Sequence, residues 1–299
     1  MCGIVGLFAK SPELQPELGR HLTAMLVEMT DRGPDSAGVA VYREPVEKGW
    51  TKLSLCNGHA EYPWETLSQE FADDFGREIR HEQRGSHSVF RIHEDFEPIQ
   101  AWLRHRHPEL RIVSAGDSIE IFKEKGLPSD VARNFSLDTL SGTHALGHTR
   151  MATESAVTTE HSHPFSTGLD LCLVHNGSLS NHNRLRSYLR RHGIDFQTDN
   201  DSEVAAGYLA WRMREGATLD EALQSAMKDL DGFFTFAVGT RDGFAVVRDP
   251  IGCKHGVLAE TDEWVAMATE YRAIAPLPGA DKASIWEPVP GQIYSWSRS

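Results

Sequence analysis

At 299 residues, 40% hydrophobic and 24% charged, the chain has the composition of a soluble globular protein and the length for one large domain or two modest ones. A formal net charge of −13 disfavours nucleic acid and anionic membrane surfaces as partners, and no apolar stretch approaches the ~20 residues that cross a bilayer. Cys2, Cys56, Cys172 and Cys253 form no CxxC pair, the N-terminus does not read as a secretory signal, and the histidines lack a convincing ligand spacing; the reading is a cytoplasmic protein with no metal and no cofactor.

Taken in chain order, CGIVGLFA reads as a strand and PELQPELGRHLTAMLVEM as a helix, from Leu18, Leu22, Met25, Leu26 and Met29 at helical spacing. TDRGPDS reads as a loop on its Gly-Pro pair, and AGVAVY as a second strand. A more polar stretch follows over about residues 45–112. TKLSLCN, SHSVFRIH and ELRIVSAG are strand-like there, while PWETLSQEFADDF and DFEPIQAWLRHR are helical, which predicts a small exposed α+β insertion. From Ser118 onward strands dominate: IEIFKE, HALGHTR, LDLCLVHN, FFTFAVGT, GFAVVRD, GVLAE, WVAMAT and QIYSW. Helices are predicted near 181–192, 201–214 and 219–229, and Asp242-Gly243 between two apolar runs predicts a hairpin. The pattern points to sheet packed on sheet with flanking helices.

Polar stretches gather at strand ends: DRGPDSAG, GHTRMATES, HNGSLSN and TDNDSEVAA. Strand ends and the loops after them are where functional groups accumulate on a rigid scaffold. Removal of Met1 would leave Cys2 first, with a thiol and a free α-amine on one residue; that amine titrates near ~8 and can serve as a base. Amide attack also needs donors for a developing oxyanion, which Asn176 and the Gly177 N–H offer. An α-amino acid substrate needs an arginine for its carboxylate and a carboxylate for its ammonium; Arg150 and Asp201 fit those tasks. Each feature has a plainer reading by itself. Asn-Gly is usually a turn, Arg150 reads alone as a strand-end ion pair, and Asp199 or Asp201 reads as a helix cap. His144, His148 and His175 read as hydrogen-bonded support, and Cys172 as a buried core residue.

Taken together, CGIVG, RGPDSAG, GHTRMAT, HNG and DNDSEV, in this order, resemble the class II glutamine amidotransferases, which are N-terminal-nucleophile hydrolases. The resemblance implies an α+β fold, a four-layer α/β/β/α sandwich over residues 2–299, with 45–112 as an inserted subdomain. It implies Cys2 as nucleophile, Asn176 and Gly177 as oxyanion donors, and Arg150 and Asp201 as grips on glutamine. Thr153 would contact substrate, and Arg32 and Asp35 would brace the site. The chain departs from the common pattern at Met151, where an aromatic residue is usual, and at Glu154, where histidine is frequent. Those departures leave open a related γ-glutamyl amide as substrate.

The chain ends soon after its last predicted strand, so the expectation is a separate synthase subunit that receives ammonia. In size the chain resembles the stand-alone amidotransferase subunits of glutamate-synthase-like systems, such as N-methylglutamate synthase. A catalytically silent regulatory subunit is the alternative, and docking of a partner is the role expected of the 45–112 insertion.

Overall fold

In the computed structural model, which describes residues 2–59, 61–152 and 157–298, the opening run forms β1 (Gly3–Ala9). This strand is buried along its whole length because it is the central member of a seven-stranded sheet. On one side lie β8 (His144–Arg150), β2 (Ser36–Tyr42) and β7 (Ile119–Lys125); on the other lie β14 (Trp264–Ala268), β13 (Val257–Glu260) and β15 (Ser284–Trp286). A second sheet runs in the order β16 (Ile293–Ser297), β12 (Gly243–Arg248), β11 (Gly232–Thr240), β10 (Leu171–Leu179), β9 (Phe165–Gly168).

Side-chain alternation assigns the layers. In β1, Val5, Leu7 and Ala9 join the core formed with α1 (Leu18–Glu28) and α4 (Pro128–Phe135), while Ile4 and Phe8 join the core between the sheets. In β10, Cys172 and Val174 face the same inter-sheet core, and Leu171 and Leu173 pack with α5 (His182–Arg191), α6 (Asp201–Arg214) and α7 (Leu219–Asp229). The result is an α+β fold, the four-layer α/β/β/α sandwich. Each large apolar side chain taken fully out of water contributes about 1.5–3 kcal/mol, so polar groups sunk between these layers need a reason of their own.

Residues 51–116 make a third sheet, ordered β4 (Ile79–Arg84), β5 (His87–Ile92), β3 (Thr51–Cys56), β6 (Arg111–Gly116). With α2 (Trp64–Phe75) and α3 (Phe96–Arg106) it encloses a core of its own, including Leu53, Leu55, Phe71, Phe90 and Ile99.

Several expectations need correction. The first helix starts later than its sequence run: Pro12–Glu17 is a 3-10 turn containing Pro16, and α-helical geometry begins at Leu18. Strand β4, IRHEQR, is absent from the sequence reading because it is an edge strand with little buried surface and no apolar alternation. Helix α4 is also missed, being short, as are the edge strands β9 and β15. The expected hairpin exists, but its two-residue turn is Arg241-Asp242, and Gly243 already pairs with Thr240. Glycine stands at 243 because a Cβ there would collide with the Trp296 carbonyl oxygen of the neighbouring strand.

Candidate active site

The start of β1 is held tightly. A Cβ on Gly3 would come within 2.7 Å of Thr149 Oγ1 and 2.8 Å of Met29 Cβ, so the strand passes close to both β8 and the end of α1. Cys2, half-buried, stands immediately before it. Its backbone carbonyl accepts two hydrogen bonds, from Arg32 Nε at 3.2 Å and from Asn176 Nδ2 at 3.3 Å. Arg32 lies on the 3-10 turn Thr30–Arg32 that follows α1 and is 9% exposed. Its Nη1 donates to Glu270 Oε1 at 2.6 Å; this hydrogen bond, together with the Arg272 charge, holds the Glu270 carboxyl below its usual range.

Asn176 and Gly177 lie within β10 instead of in a turn after it. An amide NH2 carries two donors, and one of those on Asn176 reaches Cys2. Gly177 pairs with Phe234 across the ladder, but Phe234 turns both backbone groups the other way: its N–H donates to Asp249 Oδ2 at 2.8 Å, and its carbonyl accepts from Asp249 N at 3.0 Å. In an antiparallel ladder such a pair is not hydrogen-bonded, so the Gly177 N–H points to the β9 side. The β9 pairing reaches only Leu173, and among the described residues no strand covers Gly177 there. Along that same edge the His175 carbonyl accepts from His148 Nε2 at 2.9 Å, and the Leu179 N–H donates to Asp201 Oδ2 at 2.9 Å. A backbone donor that no strand among the described residues covers therefore sits between an imidazole and a carboxylate. A Cβ at 177 would strike the Phe233 carbonyl oxygen and come within 2.6 Å of His175 Nε2, so only glycine fits.

Asp201 is the first residue of α6; the cap is Asn200, whose side chain accepts from Ser202 N at 2.8 Å, which corrects the expectation of an aspartate cap. Ser202 Oγ contacts Asp201 Oδ1 at 3.3 Å and His175 Nδ1 at 2.8 Å, linking helix and strand. Beneath this edge the His148 and His163 rings stack with centroids 4.0 Å apart. Burial lowers the pKa of all three imidazoles, taking His148 down to about 3 and His163 well below the ordinary range. At neutral pH they are uncharged polar support. His144 has the same character farther along β8: it bonds the Thr240 carbonyl at 2.8 Å and stacks on Tyr42.

Arg150 ends β8, one position beyond the Thr149–Gly3 pair and so beside Cys2; it is 5% exposed. Its carbonyl accepts from Asp35 N at 3.1 Å, and Asp35 Oδ2 accepts from Ala152 N at 2.8 Å, so Asp35 ties down both sides of the arginine. Met151 is exposed, and Thr153 and Glu154 lie outside the described residues. The fold thus gathers Cys2, Arg32 and Asn176 by direct hydrogen bonds, sets Gly177 and Asp201 on one strand edge, and brings Arg150 and Asp35 to the adjoining strand ends. Sequence reasoning missed Glu270, Ser202, His163 and Asp249. Their partners are remote in sequence, so no local spacing announces them. Cys172 lies in the inter-sheet core as expected, whereas Cys56 proves buried and Cys253 exposed.

The arrangement offers a cysteine whose backbone carbonyl is bonded by the Asn176 amide, with a backbone donor, an arginine and a carboxylate on neighbouring strand and helix ends. The fold is that of the N-terminal-nucleophile hydrolases, and the chain belongs to the class II glutamine amidotransferases. The glutamine amidotransferase domain family matches residues 148–276. The chain is 52% identical over 297 residues to the glutamine amidotransferase-like protein GlxB of Rhizobium meliloti, covering 99% of this chain and 98% of that one. An amidophosphoribosyltransferase of Methanocaldococcus jannaschii is 30% identical over 196 residues, 64% of this chain and 41% of the relative. Among solved structures, the glutamine phosphoribosylpyrophosphate amidotransferase from B. subtilis superimposes with a TM-score of 0.63 at 20% identity, over 99% of this chain and 47% of that chain. The chain thus spans about half of that larger protein, and the likeness is one of fold. No helix among the described residues is long and apolar enough to cross a membrane.

Proposed function

We propose that the protein is a cytoplasmic glutaminase subunit: it hydrolyses the side-chain amide of glutamine and hands the ammonia to a separate synthase subunit. After loss of Met1, the Cys2 thiol gives its proton to its own α-amine and attacks the carboxamide carbon. The oxyanion rests on Asn176 Nδ2 and the Gly177 N–H. The C–N bond breaks, the α-ammonium returns the proton to the leaving nitrogen, and ammonia departs. Water, deprotonated by the amine, then opens the thioester to glutamate. Arg150 holds the substrate carboxylate, Asp201 its ammonium, and Thr153 adds a contact, while Arg32 and Asp35 position the cysteine and the arginine. The observation that carries this reading is the pair of hydrogen bonds on the Cys2 carbonyl from Arg32 and Asn176, next to the uncovered Gly177 donor.

We read residues 45–112 as a subdomain inserted in a domain over 2–299. The acceptor is of the glutamate-synthase-like class, with N-methylglutamate synthase the specific case; in that setting the departures at Met151 and Glu154 bear on which γ-glutamyl amide is taken. The test joins intact mass with glutamate release for wild type and Cys2→Ala, on glutamine and on γ-glutamylmethylamide, with and without candidate synthase subunits. Loss of Met1 with Cys2-dependent release is expected. Retained Met1, or a processed chain silent on both amides even with its synthase, overturns the reading in favour of a regulatory subunit.

A further inference from the structure

Where the third sheet meets the main sheet, a cavity of about 270 Å³ opens, lined by residues of both sheets and by none of the residues gathered around Cys2. Its walls carry a row of like charges. Lys52 on β3 stands directly opposite Arg91 on β5, and Arg91 directly opposite Arg80 on β4, so three cations lie side by side across three adjacent strands. Like charges in direct cross-strand register are destabilising. A fourth cation, Arg43, enters from the end of β2. The buried counter-charge is a single carboxylate, Glu120 on β7, at 3.1 Å from Arg43, 3.2 Å from Lys52 and 3.6 Å from Arg91. Lys52 and Glu120 are each 1% exposed. Arg80 is engaged elsewhere, by Glu78 and over the Trp50 ring at 5.0 Å. Glu44 and Glu47 also border the cavity, but both are exposed, where water screens their charge. Arg91 is the telling member. Its contact with Glu120 is longer than a hydrogen bond, and it makes no side-chain hydrogen bond among the described residues. A half-buried guanidinium with its fork of donors unused is built for an oxygen pair.

We infer that this cavity is a binding site for a small doubly charged oxyanion, a phosphate or a dicarboxylate, gripped by Arg91 and Arg43 above the Lys52–Glu120 pair. The ligand relieves the repulsion along the cation row. It also joins β7 of the main sheet to β3, β4 and β5 of the third sheet, so its occupancy sets how firmly the two are held. In a chain of net charge −13 a concentration of cations in one cavity selects for anions of this kind.

The test uses the full chain in anion-poor buffer at fixed ionic strength, titrated calorimetrically with inorganic phosphate and with succinate. One saturable site per chain is expected for at least one of them, with a concentration-dependent rise in Tm; the tighter of the two identifies the source. Arg91→Gln should weaken binding by about tenfold or more, and Arg150→Gln, in the glutamine site, should leave it unchanged. Arg91→Gln should also keep or raise the Tm of the ligand-free protein, because it removes a repelled charge; a merely structural arginine would lower it. Absence of saturable binding by both anions at millimolar concentration, affinity unchanged in Arg91→Gln, or affinity lost in Arg150→Gln each overturns the assignment.

Discussion

Asp201 and Leu179 are joined by a 2.9 Å hydrogen bond, from the Leu179 N–H to Asp201 Oδ2. It ties the first turn of α6 to the strand that bears Asn176 and Gly177, so one carboxylate both closes the strand edge and presents negative charge to the site. The two tasks can be separated. Asp201→Asn keeps an acceptor for Leu179 and removes the charge, while Asp201→Ala removes both. In both variants KM for glutamine should rise by about tenfold or more with a smaller change in kcat. Only the alanine variant should also lose about 1–3 kcal/mol of stability, because it strands a backbone donor. Steady-state kinetics and urea denaturation read the two effects. An unchanged KM in Asp201→Asn would remove Asp201 from substrate binding.

Gly33 is demanded by contact. A Cβ there would overlap the Arg150 backbone nitrogen and lie 2.6 Å from the Thr149 carbonyl oxygen, and neither main-chain atom can yield without moving β8. Gly33→Ala should therefore cost more than about 3 kcal/mol and reduce activity by displacing Arg150. Gly58, at φ +81° with open space around it, is the contrast: Gly58→Ala should cost only about 1–2 kcal/mol of backbone strain. Denaturation midpoints of the two variants, measured side by side, check the difference.

Acid should destabilise the protein through its buried histidines. Burial lowers His87 and His148 to about 3 and His144 to about 4. An unfolded histidine titrates near ~6.5, so below that pH the unfolded chain binds protons that the folded chain refuses. Each site then removes about 1.4 kcal/mol of stability per pH unit until its folded value is reached. Stability should be full well above about pH 6.5 and fall as pH drops toward 4, with at least about three protons taken up on unfolding near pH 5.5, since His163 and His175 are lowered as well. Urea denaturation across that range gives the proton number from the slope. A flat profile would mean that these imidazoles are charged in the folded state.

The sequence by itself determined the class of fold and singled out the residues proposed for the site. Short, nearly continuous apolar runs such as CGIVGLFA and FFTFAVGT are a local property of strands buried on both faces, and several of them in one chain foretell sheet on sheet. The polar stretches around Arg32, Arg150, Asn176 and Asp201 stood out because they interrupt apolar strands, a cost that a local reading detects. Weakly patterned edges such as IRHEQR were silent, since an edge strand buries too little to need a pattern. Tertiary structure alone decided the partners: Glu270 on Arg32, Ser202 between His175 and Asp201, and the Cys2 carbonyl shared by Arg32 and Asn176. It alone freed the Gly177 N–H, by ending β9 early, and it alone aligned Lys52, Arg91 and Arg80. Those outcomes depend on register and on which strand lies next to which, and hydrogen bonds and charges act between neighbours in space that the chain order does not specify.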